Sequence, residues 1–219
     1  MSDMNKQIDD DLKTSVTADG LEEDVARADL YGLLASLFFR APDDDLLHRI
    51  AASAAYGSGA SAPAEAAMTQ AWDELVRVAS ESNAEQWANE YQELFIGIGK
   101  PEIFLYGSFY QTGFLNEKPL VRLRDALGEL GLESVEEITE SEDHIATLCE
   151  VMRYLIAGDD LSIANLTQQK KFFNEHMRSW LPDLCGAIEI HPSAELYKSV
   201  AALSRAFFEV EGYAMDMVE

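Results

Sequence analysis

Four ionisable side chains crowd into five positions at Glu140, Glu142, Asp143 and His144. Carboxylates so placed can fork onto a guanidinium or hold a cation, and an imidazole beside them can exchange a proton near neutral pH. On a helix Glu140 and His144, four apart, share one face, which suits a general base or half of a metal site. A metal site needs further ligands, and no recognisable spacing supplies them. Catalytic signatures are missing too: there is no GxSxG elbow, no HExxH and no Gly-rich dinucleotide fingerprint. GIGKP at 97–101 lacks the GxxxxGK[ST] pattern of a phosphate cradle and reads as a turn. The same acids have a plainer reading, because carboxylates in a helix's first turn complement its macrodipole.

Two elements must position this chemistry. Thr139–Ile156, TESEDHIATLCEVMRYLI, predicts a helix capped by Thr139, with Glu142 reaching back to complete a capping box. Ile145, Leu148, Cys149, Met152, Leu155 and Ile156 fall at helical spacing on its buried face, and Gly158 stops it. The charged cluster is thereby expected within the first turn, at the mouth of the core. Upstream, Ser82 with Glu85 predicts a second capping box, opening a helix that carries Trp87, Tyr91, Leu94 and Phe95. Gly97, Gly99 and Pro101 break it, and the chain to Gly113 reads as irregular. Tyr106, Ser108 and Tyr110 lie there, in a stretch too aromatic for a merely solvated loop and suited to recognition.

ESEDH at 140–144 resembles the Glu-Pro-x-Asp-His signature of the TorD/DmsD family of redox-enzyme maturation chaperones. WANEYQELFIG at 87–97 and YGSFY at 106–110 resemble that family's aromatic helix and following loop, in the same order and spacing. The resemblance runs from about Leu21 onward and is most specific across Trp87 to Met152. One position departs: Ser141 stands where the family most often has a proline, which would fix φ at this entrance. The resemblance implies a cytosolic chaperone, not an enzyme, that binds the twin-arginine signal peptide or the apo form of a molybdopterin-containing oxidoreductase. It would assist cofactor insertion and delay export. It also implies possible contact with the translocase and with cofactor-biosynthesis proteins, and at most weak guanine nucleotide binding, with no other cofactor. Carried over by position, Trp87, Tyr91, Phe95, Tyr106, Ser108 and Tyr110 help build an apolar surface for the leader. Glu140, Glu142 and Asp143 engage its arginines, and His144 binds or braces the loop. The competing reading is a helical enzyme or a cofactor- or metal-binding protein using Glu140, Asp143 and His144. A scaffold that only oligomerises is the third.

Composition sets the frame. With 16 Lys and Arg against 40 Asp and Glu, the net charge of -24 opposes a phosphate-backbone ligand and favours a cationic peptide. At 219 residues and 47% hydrophobic, the chain can bury one sizeable core. The expectation is a tail over residues 1–20 and one all-α domain, a compact bundle with irregular loops, over 21–219, with a hinge at 132–138 between two lobes. Helices are expected from Leu21 to before Pro42, with Ala26, Leu30, Leu33, Leu34, Leu37 and Phe38 inward, and from Asp43 through Ile50. Further helices are expected around Met68–Ala79, Pro119–Leu130, Leu161–Met177, Leu181–Ile188 and Ser193–Met215, with a Gly- and Ser-rich connection at Tyr56–Pro63. Cys149 and Cys185 read as reduced, core or near-core thiols, and His48, His176 and His191 as surface or helix-end residues. No run of about 18 apolar residues and no secretory leader pattern occurs, so the chain is expected to stay in the cytoplasm and not in the membrane.

Overall fold

A computed structural model of the protein describes residues 22–53, 63–132 and 140–218. The expected tail at 1–20, most of the 132–138 hinge, Thr139 and most of the Tyr56–Pro63 connection lie outside the described residues. Among those described there are helices and no strand: α1 (residues 22–39), α2 (Asp44–Ala51), α3 (Pro63–Glu81), α4 (Ala84–Tyr91), α5 (Gly107–Thr112), α6 (Lys118–Glu129), α7 (Ile145–Ala157), α8 (Leu166–Phe172), α9 (Leu181–Ile190) and α10 (Tyr197–Met217). Both α4 and α8 end in a wider π turn, Gln92–Ile96 and Phe173–Met177. The all-α bundle is the architecture that the helical periodicity predicts.

The core is one continuous cluster built around α10, which packs on α3 and α9 and presents Tyr197, Val200, Leu203 and Phe207 inward. On α1, Leu34, Leu37 and Phe38 are fully buried, and Tyr31 meets Phe207 edge to face at 4.8 Å. Ala26, expected inward, is exposed. Beneath α1 lies a polar knot that the apolar pattern does not reveal. The Arg27 guanidinium donates to both oxygens of the buried Glu211 at 2.7 and 2.9 Å, Tyr31 donates to Glu211 at 3.0 Å, and Arg27 reaches Gln169 at 3.0 Å. Both Glu211 oxygens and the Arg27 guanidinium are thereby hydrogen-bonded, which offsets the cost of burying them.

Helix ends follow local chemistry, with some shifts. Asp43 caps α2 by accepting from Leu46 N at 2.8 Å. The box introducing α4 is Asn83 with Gln86, one residue later than expected; Ser82 instead accepts from Trp87 Nε1 at 2.8 Å. Gly97 closes the π turn at φ +67°, where a Cβ would sit 2.0 Å from the Lys100 carbonyl oxygen, so only glycine fits. Pro119 opens α6 and Gly131, at φ +67°, follows it. Residues 161–165 form turns, and the helix expected from Leu161 begins at Leu166. Cys149 and Cys185 are buried free thiols, and burial pushes Cys185 up to about 12. His176, expected at the surface or a helix end, lies in the last turn of Phe173–Met177 and is buried, with no hydrogen bond to its Nε2 among the described residues.

Candidate functional site

The helix expected from Thr139 starts later: α7 begins at Ile145 with His144 as its N-cap. Glu140, Glu142 and Asp143 therefore precede the helix, so the capping box with Glu142 and the shared helical face of Glu140 and His144 are not formed. The reason is a competing backbone pairing. Tyr106 and His144 form an antiparallel bridge, with Gly107 N donating to Asp143 O and Ile145 N to Leu105 O, both at 2.9 Å. That bridge holds the chain extended where a helix would have coiled it, and it ties the aromatic stretch to the acidic one.

Asp143 is the staple of this junction. Its buried carboxylate accepts from Ser108 N at 2.8 Å through Oδ2 and from Ser141 Oγ at 2.7 Å through Oδ1. Ser108 is in the first turn of α5, a short helix inside the stretch expected to be irregular, so the carboxylate satisfies one of that helix's open N–H groups. The Ser108 hydroxyl itself is fully buried and has no hydrogen-bond partner among the described residues. His144 Nδ1 accepts from Ala146 N at 3.1 Å, capping α7 and leaving the ring proton on Nε2. Burial lowers the His144 pKa to about 4, against the opposing pull of Glu140 and Asp143. Such a ring is a poor general base at neutral pH.

Around this staple stand groups that a ligand could reach. The Tyr106 hydroxyl donates to Glu140 Oε2, and the Tyr106 ring meets His144 edge to face at 5.1 Å. Burial first, then Glu140, raises the Tyr91 hydroxyl to about 12, and Tyr106 is raised further by burial and the same carboxylate. Tyr91, Tyr106 and Glu140 thus form one half-buried cluster. Tyr91 also donates to the Phe38 and Phe39 carbonyls at 3.0 and 2.9 Å, pinning the end of α1. Glu142 forks onto Arg124 of α6 at 3.0 and 2.9 Å, a partner that the sequence pattern does not reveal.

The remaining expected residues fall elsewhere. Trp87 is fully buried and Phe95 nearly so, both packed edge to face on Tyr197 at 5.1 and 4.9 Å. Their rings belong to the core in this conformation. Tyr110 stacks on Trp180 at 5.7 Å, toward α9, where burial and the neighbouring Cys185 and Asp183 raise its hydroxyl. Gly107 is needed beside that stack, because a Cβ there would stand 3.0 Å from Trp180. Exposed apolar side chains flank the aromatic stretch at Ile96, Ile98 and Phe114, none of them singled out by helical spacing. Among the described residues no group of three or more His, Cys, Asp and Glu side chains is placed to hold a metal, and no helix is long and apolar enough to cross a membrane.

Known proteins resemble this chain over most of its length. The family model for the nitrate reductase delta subunit matches residues 61–186. A chaperone protein TorD of Vibrio cholerae serotype O1 is 26% identical over 203 residues, covering 87% of this chain and 92% of that protein. Another TorD, of a Psychrobacter species, is 27% identical over 207 residues, covering 89% and 94%. A solved structure from Archaeoglobus fulgidus, assigned as a redox enzyme maturation protein, shares the fold with a TM-score of 0.53 at 24% identity, over 85% of this chain and 93% of that one.

Proposed function

Since the chain belongs to the nitrate reductase delta subunit family, the TorD/DmsD group of redox-enzyme maturation proteins, we propose that it is a cytoplasmic maturation chaperone for a molybdopterin-containing oxidoreductase. It acts by binding and not by chemistry, holding the twin-arginine leader or the apo form of its client until the cofactor is inserted. One observation carries this reading: the Tyr106–His144 bridge sets half-buried tyrosines beside carboxylates at a fixed junction of two connections. A leader offers guanidinium forks next to an apolar segment, and that junction offers carboxylates next to aromatic faces. Glu140 and Glu142 are the groups that would meet arginines, Tyr91 and Tyr106 the faces that would carry the apolar part. Asp143 and His144 would hold the junction. Ile98 and Phe114 extend the apolar surface.

The test is recovery of the tagged protein from cells making such a client, with the co-purifying chains identified by mass spectrometry. The expected partner is a molybdoenzyme precursor with its Arg-Arg leader uncleaved, lost when the leader carries Lys-Lys. Equal recovery of the Lys-Lys form would refute arginine recognition, and recovery of no precursor would refute the chaperone reading.

A further inference from the structure

One face of α1 packs into the core through Leu34, Leu37 and Phe38, and among the described residues no helix covers the opposite face. Asp29, Leu33 and Ser36, with Arg40 just past the helix end, recur along that face at spacings of four, three and four. They floor a trough whose walls are α2 and α7. It consists of two cavities, of about 500 and 610 Å³, that share Ser36, Leu46, Arg49 and Glu150. The floor is low where Gly32, Ala35 and Ser36 stand, so another backbone can come close. Half-buried Leu33 and Leu46 and the 51% exposed Phe39 make the lining apolar. The spacing of Leu33 predicts burial, and the bundle supplies only part of it.

The charges at the trough differ in what they are free to do. Asp43 accepts from Leu46 N at 2.8 Å to cap α2, and Glu150 pairs with Arg153 at 3.2 Å. Arg40 and Arg49, both exposed, have no carboxylate partner among the described residues, whereas six of the nine arginines do, in a chain with 40 acids. At physiological ionic strength a charge acts over about 8 Å. These two guanidiniums, and not the net charge of the chain, therefore set what the trough attracts. Its end is also fixed in advance, because Tyr91 holds the Phe38 and Phe39 carbonyls on one side and the Asp43 cap holds α2 on the other. We propose that the trough is a docking groove for an acidic amphipathic helix of a partner protein. The helix lays a row of apolar side chains on Leu33, Phe39 and Leu46, and its flanking carboxylates fork onto Arg40 and Arg49. The open face over 29–39 rises about 15 Å, so the contact takes about three turns. A twin-arginine segment meets like charge here, which makes this groove separate from the proposed leader site and independent of it.

Fluorescence anisotropy on the full chain, at near-physiological salt, tests it with two labelled peptides held helical by a staple. Each is about three turns long with a leucine row; one carries glutamates beside the leucines, the other lysines in the same places. The glutamate peptide should bind the unmodified chain. Arg40→Glu with Arg49→Glu, two exposed substitutions that should leave the circular dichroism of the bundle unchanged, should weaken it about tenfold or more and strengthen the lysine peptide by a similar factor. Phe39→Ala should weaken the glutamate peptide severalfold, since the apolar row then loses one wall of its seat. Failure of the glutamate peptide to bind overturns the proposal, and so does equal binding to the unmodified and reversed proteins. Self-association of the unmodified chain in sedimentation that the reversals abolish would assign the trough to a second copy, and overturns it as well.

Discussion

Replacing Asp143 separates two roles that a motif residue can play, holding the fold or touching a ligand. The carboxylate accepts two hydrogen bonds, from Ser108 N and Ser141 Oγ, and is 4% exposed. Hydrogen bonds to an ionised group contribute about 1.5–3 kcal/mol each. Asp143→Ala removes both and leaves the buried Ser108 N–H without an acceptor, but it also relieves the burial of a charge, so a net loss of about 3 kcal/mol is expected. For a chain of this size that is about 6–12 °C in Tm. Asp143→Asn keeps an acceptor for Ser108 N and can donate to Ser141 Oγ, so it should lose only about 1 kcal/mol. Urea unfolding followed by circular dichroism measures both. If Ala and Asn cost the same, or if Ala costs under about 1 kcal/mol, Asp143 is not the staple of the α5 junction and the structural role assigned to it is wrong.

Glu90 tests the same logic at a longer helix: its buried carboxylate accepts from Glu195, Leu196 and Tyr197 N at 3.0, 2.9 and 2.8 Å, at the start of α10. Glu90→Ala should destabilise by about 3 kcal/mol or more, and Glu90→Gln by less, in thermal melts. Gly107→Ala drives a Cβ to 3.0 Å from Trp180 and should cost about 1–3 kcal/mol, with altered Trp180 fluorescence marking where the strain falls. Arg124→Ala breaks an exposed ion pair and should leave stability within about 1 kcal/mol. It should nevertheless tighten binding of an Arg-Arg leader peptide severalfold in titration calorimetry if Glu142 receives the peptide. For pH, His144 is held at about 4 in the fold against about 6.5 unfolded, so the unfolded chain binds the extra proton. Its contribution is present above about pH 6.5 and is lost as pH falls through about 4, up to about 3 kcal/mol in total. His144→Asn keeps a capping side chain without the titration, and its urea midpoint should fall less between pH 7 and 4. Parallel curves for the two proteins would exclude His144 as a source of the pH dependence.

Periodicity made most of the bundle legible. Leu120, Leu123 and Leu127 on α6, and Leu148, Cys149 and Met152 on α7, are buried as their spacing requires. Pro119 and Gly131 mark the bounds of α6 because each has a local conformational reason to be there. What escaped is long-range. The start of α7 shifted to His144 because Tyr106 pairs with it across 38 positions, which no local capping rule registers. The Glu90 and Glu211 carboxylates are buried for the same kind of reason, each satisfied by groups more than 100 residues away. Trp87 and Phe95 show the limit of an aromatic stripe: helical spacing identifies a buried face, but not whether a ligand or Tyr197 covers it.

The departure at Ser141 bears on where recognition can reside. A proline there would fix φ and leave Asp143 Oδ1 without this donor; Ser141 supplies a hydroxyl at 2.7 Å instead. Both oxygens of Asp143 are thereby used inside the protein, and Nδ1 of His144 is used by the cap of α7. Both residues are 4% exposed, so a guanidinium would have to open the junction to reach either of them. On the proposed function, discrimination among leaders must then come from the rim, from Glu140 under Tyr106 and Glu142 under Arg124, where each carboxylate exchanges an internal donor for an external one. Such an exchange conserves the number of hydrogen bonds, so affinity follows how well the incoming arginine matches the donor that it displaces. Glu140→Gln and Glu142→Gln should accordingly weaken leader binding at unchanged stability, whereas substitutions of Asp143 should weaken it only in proportion to the fold that they loosen.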